Sequence, residues 1–152
     1  DVILPIKFPQ GEIIEAGINV RPYALEALRE LSIYYEIVVF TASHSCYANV
    51  VLDYLDPSRQ YIHHRLFRDS CIQTEEGIYV KDLRVFSNRN LNDVILVDNA
   101  AYSFGFQIEN GIPILPFYDN QEDQELKHLI TYLKAMATTK DLKEMIRQTF
   151  KL

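Results

Sequence analysis

Thr41, Lys81, Asp98 and Asn99 are the residues whose types and settings suit phosphoryl chemistry. Thr41 stands in Phe40-Thr41-Ala42-Ser43, just past an apolar run. A hydroxyl at the carboxyl end of a strand can donate to a phosphate oxygen, and the N–H groups of Ala42 and Ser43 can add to it. Its competing role is a cap on the next helix, which taken alone is the stronger reading. Asp98-Asn99 ends another apolar run. A carboxylate and an amide oxygen are hard donors of the kind magnesium takes, yet the same pair is common where a strand turns into a loop. Lys81, in Tyr79-Val80-Lys81-Asp82-Leu83, can neutralise a nucleophilic carboxylate and the charge of a transferring group. Otherwise it pairs with Asp82 or faces solvent. Arg68 can fork onto a phosphate or a phosphopeptide backbone, or serve as an ordinary ion-pair arginine. His63 and His64 lack partner ligands at usable spacing and read as structural or exposed. The ten tyrosines read as packing residues. No single signal here is specific; their order and spacing are.

The elements that must position these groups follow from periodicity. Residues 2–8 and 12–20 read as a hairpin around Pro9-Gln10-Gly11. Pro22 sits where a helix would start, and Leu25, Leu28 and Leu31 recur at helical spacing. The run Ile37-Val38-Val39-Phe40 suits a strand buried on both faces of a parallel sheet. Tyr47, Val51, Tyr54 and Leu55 predict a helix that Asp56-Pro57 ends. His64–Phe67 predicts a weaker strand, and Cys71–Gln73 with Ile78–Lys81 a small hairpin around Glu-Glu-Gly. Val94–Val97 is a second apolar strand and Ile112–Leu115 a shorter third, whose proline suits an edge or a strand start. Leu126, Leu129, Leu133 and Met136 mark a long amphipathic helix, and Leu142, Ile146 and Phe150 a last short one. The alternation predicts an α/β fold: a Rossmann-like, mostly parallel sheet with helices on both faces and small β-hairpin insertions, one domain over residues 1–152. Such sheets bind ligands beyond the carboxyl ends of their strands, where Thr41 and Asp98-Asn99 lie.

Composition narrows the partners. The 152 residues are 48% hydrophobic, enough for a core, and carry a net charge of −6. That balance argues against an electrostatic grip on nucleic acid or an anionic membrane. Cys46 and Cys71 form no zinc-type cluster and read as reduced intracellular thiols. No stretch reaches transmembrane length. Asp1 leads directly into a strand with no initiator Met, so the chain reads as cut from something longer.

The series Phe40-Thr41-Ala42-Ser43, His64-Arg65-Leu66-Phe67-Arg68-Asp69-Ser70-Cys71, Tyr79-Val80-Lys81-Asp82-Leu83 and Val94-Ile95-Leu96-Val97-Asp98-Asn99 resembles the small C-terminal-domain phosphatases. These are the nuclear-LIM-interactor-interacting-factor-like branch of the haloacid dehalogenase superfamily. The resemblance extends through Asn110-Gly111-Ile112-Pro113-Ile114 and the acidic stretch Asp119–Glu125. It implies a magnesium-dependent protein serine/threonine phosphatase. An aspartate forms an aspartyl-phosphate, and a second aspartate protonates the leaving hydroxyl and activates water. By position it assigns phosphate binding to Thr41, charge neutralisation to Lys81, the metal pair to Asp98 and Asn99, and a substrate-side contact to Arg68. The implied partner is a phosphorylated protein or peptide, of the class of the RNA polymerase II tail. The implied compartment is nuclear or cytoplasmic.

Two departures from the family pattern stand out. Its Asp-x-Asp-x-Thr motif belongs on a central strand upstream of the first hairpin and is absent from these residues. Asp119-Asn120-Gln121-Glu122-Asp123 lies before a helix and does not fit it. Asn99 is followed by Ala100-Ala101 where Ser-Pro is usual. The chain by itself is therefore expected to be inactive. The alternative is a catalytically inactive protein-binding module on the same fold, as in a receptor subunit of the mitochondrial inner-membrane translocase.

Overall fold

The computed structural model describes residues 2–150; Asp1, Lys151 and Leu152, the ends of the expected domain, lie outside the described residues. The chain opens with the hairpin β1 (Val2–Lys7) and β2 (Ile13–Ile18), paired antiparallel from Val2↔Ile18 to Lys7↔Ile13. Gly11 makes its turn at φ 92, a conformation that side chains disfavour. Helix α1 (Ala24–Leu31) follows, then β3 (Ile37–Phe40), α2 (Ser45–Leu55) and β4 (Ile62–Leu66). The short hairpin β5 (Ile72–Gln73) and β6 (Tyr79–Val80) comes next, then β7 (Leu96–Asp98), β8 (Gly111–Pro113), α3 (Glu125–Met136) and α4 (Leu142–Phe150).

Helix α1 starts two residues later than Pro22 suggests. The Ala24 N–H closes a turn onto the Arg21 carbonyl, and Tyr23 takes φ 70 within it. The inward face of α1 is also rotated from the leucine spacing. Ala27 and Leu31 are buried, whereas Leu25 is 42% exposed. Helix α3 follows its expected face, burying Ile130, Leu133 and Met136. Asp56, which ends α2, is itself buried. Its carboxylate accepts the N–H groups of Gln60, Tyr61 and Ile62 at 3.1, 3.1 and 2.9 Å, so it anchors the turn into β4.

The parallel part of the fold consists of β3 with β4 and β7 with β8. No ladder joins these pairs among the described residues. Both pack on one core of Ala27, Leu31, Ile112, Ile130, Leu133, Met136 and Ile146, which gathers α1, α3 and α4 against Ile37, Ile95 and Val97. Helix α2 packs on β1 instead. The β3 residues are half-buried rather than enclosed as their apolar run predicts, because among the described residues β3 has a strand partner on only one side. The β3–β4 register shifts after Ile37, where the Ile37 N–H donates to the His63 ring at 3.0 Å. His64 is exposed and faces Glu36 at 3.3 Å. The two histidines are thus structural and surface groups, as their spacing suggests.

The tyrosines divide. Tyr23, Tyr35 and Tyr132 pack on the core, whereas Tyr34, Tyr47, Tyr54, Tyr102 and Tyr118 are 37–77% exposed, so the expectation of packing residues fails for these five. A phenol keeps its hydroxyl in water at little cost, and tyrosine count alone does not report burial. A second apolar cluster of Leu83, Leu96 and Phe104 supports the opposite side of β7. Gly111 starts β8 beneath Phe104; a Cβ there would meet the ring at 2.4 Å. Among the described residues no helix is long and apolar enough to cross a membrane.

Candidate active site

Thr41 and Asp98-Asn99 stand at the carboxyl ends of β3 and β7, whereas Arg68 comes after β4 and Lys81 after β6. At β7, the Asp98 carbonyl accepts the Ile114 N–H, extending the β7–β8 pairing and fixing the Asp98 backbone. The Asp98 carboxylate is shared. Oδ1 accepts the Ala100 N–H at 2.9 Å, the local turn bond expected of Asp at a strand end. Oδ2 accepts from Lys81 Nζ in a charge-assisted bond. The Lys81 and Asp98 side chains are only 12% and 8% exposed. Lys81 therefore does not pair with Asp82, its sequence neighbour. Asp82 is held by Arg84 through Nε at 3.0 Å and Nη2 at 2.6 Å, and by Gln107 Nε2 at 2.8 Å. The Arg84 guanidinium holds the Asp82 carboxyl well below the usual carboxylate range, against the opposing effect of burial. With Asp82 so occupied, Lys81 is left to Asp98. Its backbone N–H donates to the Ser103 carbonyl at 3.2 Å, pinning β6 to the turn that follows Asp98-Asn99.

Lys81, Asp98 and Asn99 line one open cavity of about 360 Å³ together with Arg21, Val97, Ile114, Pro116 and Phe117. Asn99 is exposed and its side chain makes no hydrogen bond among the described residues. Arg21 is the member that sequence reasoning missed. It binds the Asp123 carboxylate with Nε at 2.7 Å and Nη2 at 3.1 Å. Its guanidinium carbon lies 5.6 Å from the Phe117 ring centroid. One arginine thus ties the turn before α1 to the cavity wall and to the acidic stretch before α3. The available signal was Arg21-Pro22 at a helix start facing an acidic loop, too common a pattern to single out.

Thr41 ends β3, its N–H donating to the Leu66 carbonyl at 2.9 Å. It does not cap α2, whose N-cap is His44. Thr41 Oγ1 accepts the Ser43 N–H at 3.1 Å, so that N–H is already engaged, and among the described residues the Thr41 hydroxyl proton and the Ala42 N–H remain as donors. Arg68 reaches the same corner, donating from Nε to the Ala42 carbonyl at 2.6 Å and from its backbone N–H to the Ser43 carbonyl at 3.1 Å. Neither Thr41 nor Arg68 lines the cavity. Cys71 lies against the Thr41–Arg68 corner, its Sγ 3.8 Å from the Thr41 carbonyl oxygen. Burial pushes the Cys71 thiol up, against the pull of the Lys81 and Arg68 charges, while Asp69 and Asp98 push with it. Cys46 and Cys71 are free cysteines.

Asp98 and Asn99 offer oxygen donors of the right chemistry for a hard divalent cation, but too few for a full shell. No group of three His, Cys, Asp or Glu side chains converges among the described residues. The fit is partial: the pair can supply part of a magnesium shell and would need further carboxylates.

Residues 1–143 match the family model described as NLI interacting factor-like phosphatase. The chain is 42% identical over 132 residues to "CTD small phosphatase-like protein 2" of Dictyostelium discoideum, covering 87% of this chain and 23% of that protein. It is 36% identical to "CTD small phosphatase-like protein 3" of Caenorhabditis elegans, over 99% of this chain and 52% of that protein. It is 34% identical to the human "Carboxy-terminal domain RNA polymerase II polypeptide A small phosphatase 1", over 97% of this chain and 55% of that protein. The chain therefore spans about a quarter to about half the length of these relatives. Among solved structures, the fission yeast RNA polymerase II CTD phosphatase Fcp1 bound to beryllium fluoride superposes with a TM-score of 0.75 at 16% identity, over 90% of this chain and 52% of that one. That likeness establishes the α/β fold.

Proposed function

The chain belongs to the NLI interacting factor-like phosphatase family, and from that membership we propose that these residues form the body of a protein serine/threonine phosphatase. The observation that carries the reading is the Lys81–Asp98 pair at the carboxyl end of β7, opening with Asn99 into the cavity. Its substrate is a phosphorylated protein, of the class of the repetitive, proline-containing tail of RNA polymerase II named for the human relative. That substrate would place the activity in the nucleus, with the cytoplasm as the other compartment.

The nucleophile is an aspartate of an Asp-x-Asp-x-Thr strand not present in these residues. We place that strand against the unjoined parallel pairs β3–β4 and β7–β8, whose carboxyl ends would then flank it. The aspartate takes the phosphoryl group and the second aspartate handles the proton. Lys81 holds positive charge beside the reacting oxygens. The Thr41 hydroxyl and Ala42 N–H donate to a phosphoryl oxygen, and Arg68 meets the substrate beside them. Asp98 and Asn99 would complete the shell of magnesium, which when bound offsets charge on the phosphoryl group.

Turnover of a phosphoserine peptide by the full-length protein tests this reading. Lys81→Ala should lose most turnover while keeping the fold, and unchanged turnover removes Lys81 from the site. The 152-residue chain alone should not hydrolyse an aryl phosphate; clear magnesium-dependent turnover would contradict the placement of the nucleophile. A second reading, an inactive binding module, is favoured by Ala100-Ala101 after the metal pair. Phosphopeptide binding without turnover by the full-length protein would select it.

A further inference from the structure

The corner that holds Arg68 contains a histidine that the phosphatase reading does not use. His44 has the backbone of an N-cap, φ −70 and ψ 150, yet its side chain caps nothing. Ser, Thr, Asp or Asn at that position would take a free N–H of α2. The His44 ring is turned instead onto Arg68, with Nε2 at 2.9 Å from Nη1. A guanidinium has donors and no acceptor. The ring nitrogen that faces it must therefore be the unprotonated one, and the ring proton sits on Nδ1.

The remaining contacts of Arg68 define its orientation. Nε is taken by the Ala42 carbonyl, and the Tyr79 ring lies against the guanidinium at 5.0 Å. With Nη1 held by His44, the group is fixed at two of its three nitrogens and across one face, and Nη2, between them, has no hydrogen-bond partner among the described residues. Asp69, Lys81 and Asp98 are the further charged groups that act, with Arg68, on the neighbouring Cys71 thiol. None of them makes a hydrogen bond to the Arg68 guanidinium among the described residues.

We propose that His44, as the neutral Nδ1–H tautomer, is a positioning residue that orients Arg68 toward the phosphate of a bound phosphopeptide. This rests on the phosphopeptide-phosphatase reading above and names one determinant of its recognition. His44 itself does not touch the phosphate. Leucine at position 44 would remove the acceptor. Glutamine would restore it, because its amide oxygen stands close to where Nε2 does.

Two measurements test the proposal separately. Long-range proton–nitrogen spectra of the labelled protein should show His44 with Nε2 unprotonated and Nδ1 protonated, and Arg68→Ala should shift the Nε2 signal. A protonated Nε2, or a signal indifferent to Arg68→Ala, overturns the contact. Affinity for a phosphoserine peptide should fall about fivefold to tenfold in His44→Leu, as for loss of one ordinary hydrogen bond at an exposed position. His44→Gln should stay within about twofold of the wild type. In an Arg68→Ala background His44→Leu should change nothing further. The same loss in that background means that His44 contacts the peptide directly and overturns the positioning role. If the spectra are as expected but the wild type binds no phosphopeptide, the substrate half of the proposal falls together with the phosphatase reading.

Discussion

Breaking the Lys81–Asp98 pair should cost stability as well as turnover, and the structure sets the size. Lys81→Met keeps the bulk of the side chain and removes the ammonium. Asp98 then keeps the Ala100 N–H as its only described donor, in a position 8% exposed. Leaving one partner of a buried pair unmatched costs about 3–5 kcal/mol. The lower end applies here, because Asp98 borders an open cavity that water can enter. Asp98→Asn retains the turn bond to Ala100 and strands the lysine instead. The double variant strands neither charge, so it should lose about 2 kcal/mol less than the sum of the single losses. Urea unfolding followed by circular dichroism is the assay. With a slope of about 2 kcal/mol per molar, Lys81→Met should lower the midpoint by about 1.5 M. A shift below about 0.5 M, or strict additivity in the double variant, would refute the claim that the pair is desolvated and mutually dependent.

Three further outcomes follow from other residues. Asp56→Ala strips the acceptor from three N–H groups at the start of β4 and should destabilise by about 3 kcal/mol or more, read by thermal unfolding; a loss under about 1 kcal/mol would mean water replaces the carboxylate there. Asp82 has a folded-state pKa depressed below its ordinary 3.8, so its contribution is present above about pH 4 and is lost as pH falls through the lower folded value. Melting temperature should therefore fall more steeply from pH 5 to pH 2 in the wild type than in Asp82→Asn, and parallel curves would remove Asp82 from acid sensitivity. Gly111→Ala presses a methyl into the Phe104 ring and should cost about 1–3 kcal/mol, whereas Gly17→Ala, with open space around it, serves as the silent control; equal melting temperatures for the two would contradict the close approach.

The sequence made the element order legible because apolar periodicity reports what each segment buries. Helix α3 and the strand before Thr41 fall within a few residues of their expected places. What periodicity cannot report is the company an element keeps. Ile37–Phe40 reads as a doubly covered strand, yet its exposure depends on a lateral neighbour rather than on its own composition. The β7 run Val94–Val97 forms its ladder only from Leu96, because residues 91–93 are held in a tight turn that Asn90 caps through the Asn92 N–H. The candidate site was legible as an ordered set of motifs from widely separated segments. Their partners were not. Nothing local in Lys81-Asp82 says that the lysine will choose Asp98, since that depends on Arg84 and Gln107 occupying Asp82 first. Arg21 and His44 were missed for a related reason: each acts through a side chain far away in sequence, Asp123 for one and Arg68 for the other.

Every ladder among the described residues joins strands that follow one another in the chain, so each can form while only a short segment is organised. The bonds from Arg21 to Asp123, Tyr35 to Leu133 and Lys134 to Glu30 are different, closing loops of 102, 98 and 104 residues. The chain entropy of one such closure is about 4 kcal/mol. It is spent once, since the first of the three bonds to form brings the other two within reach. Helices α1 and α3 should accordingly open as one unit rather than fray singly. Native-state hydrogen exchange in dilute urea would then give their amides a common opening free energy, and two separate values would show that the clasp is not shared.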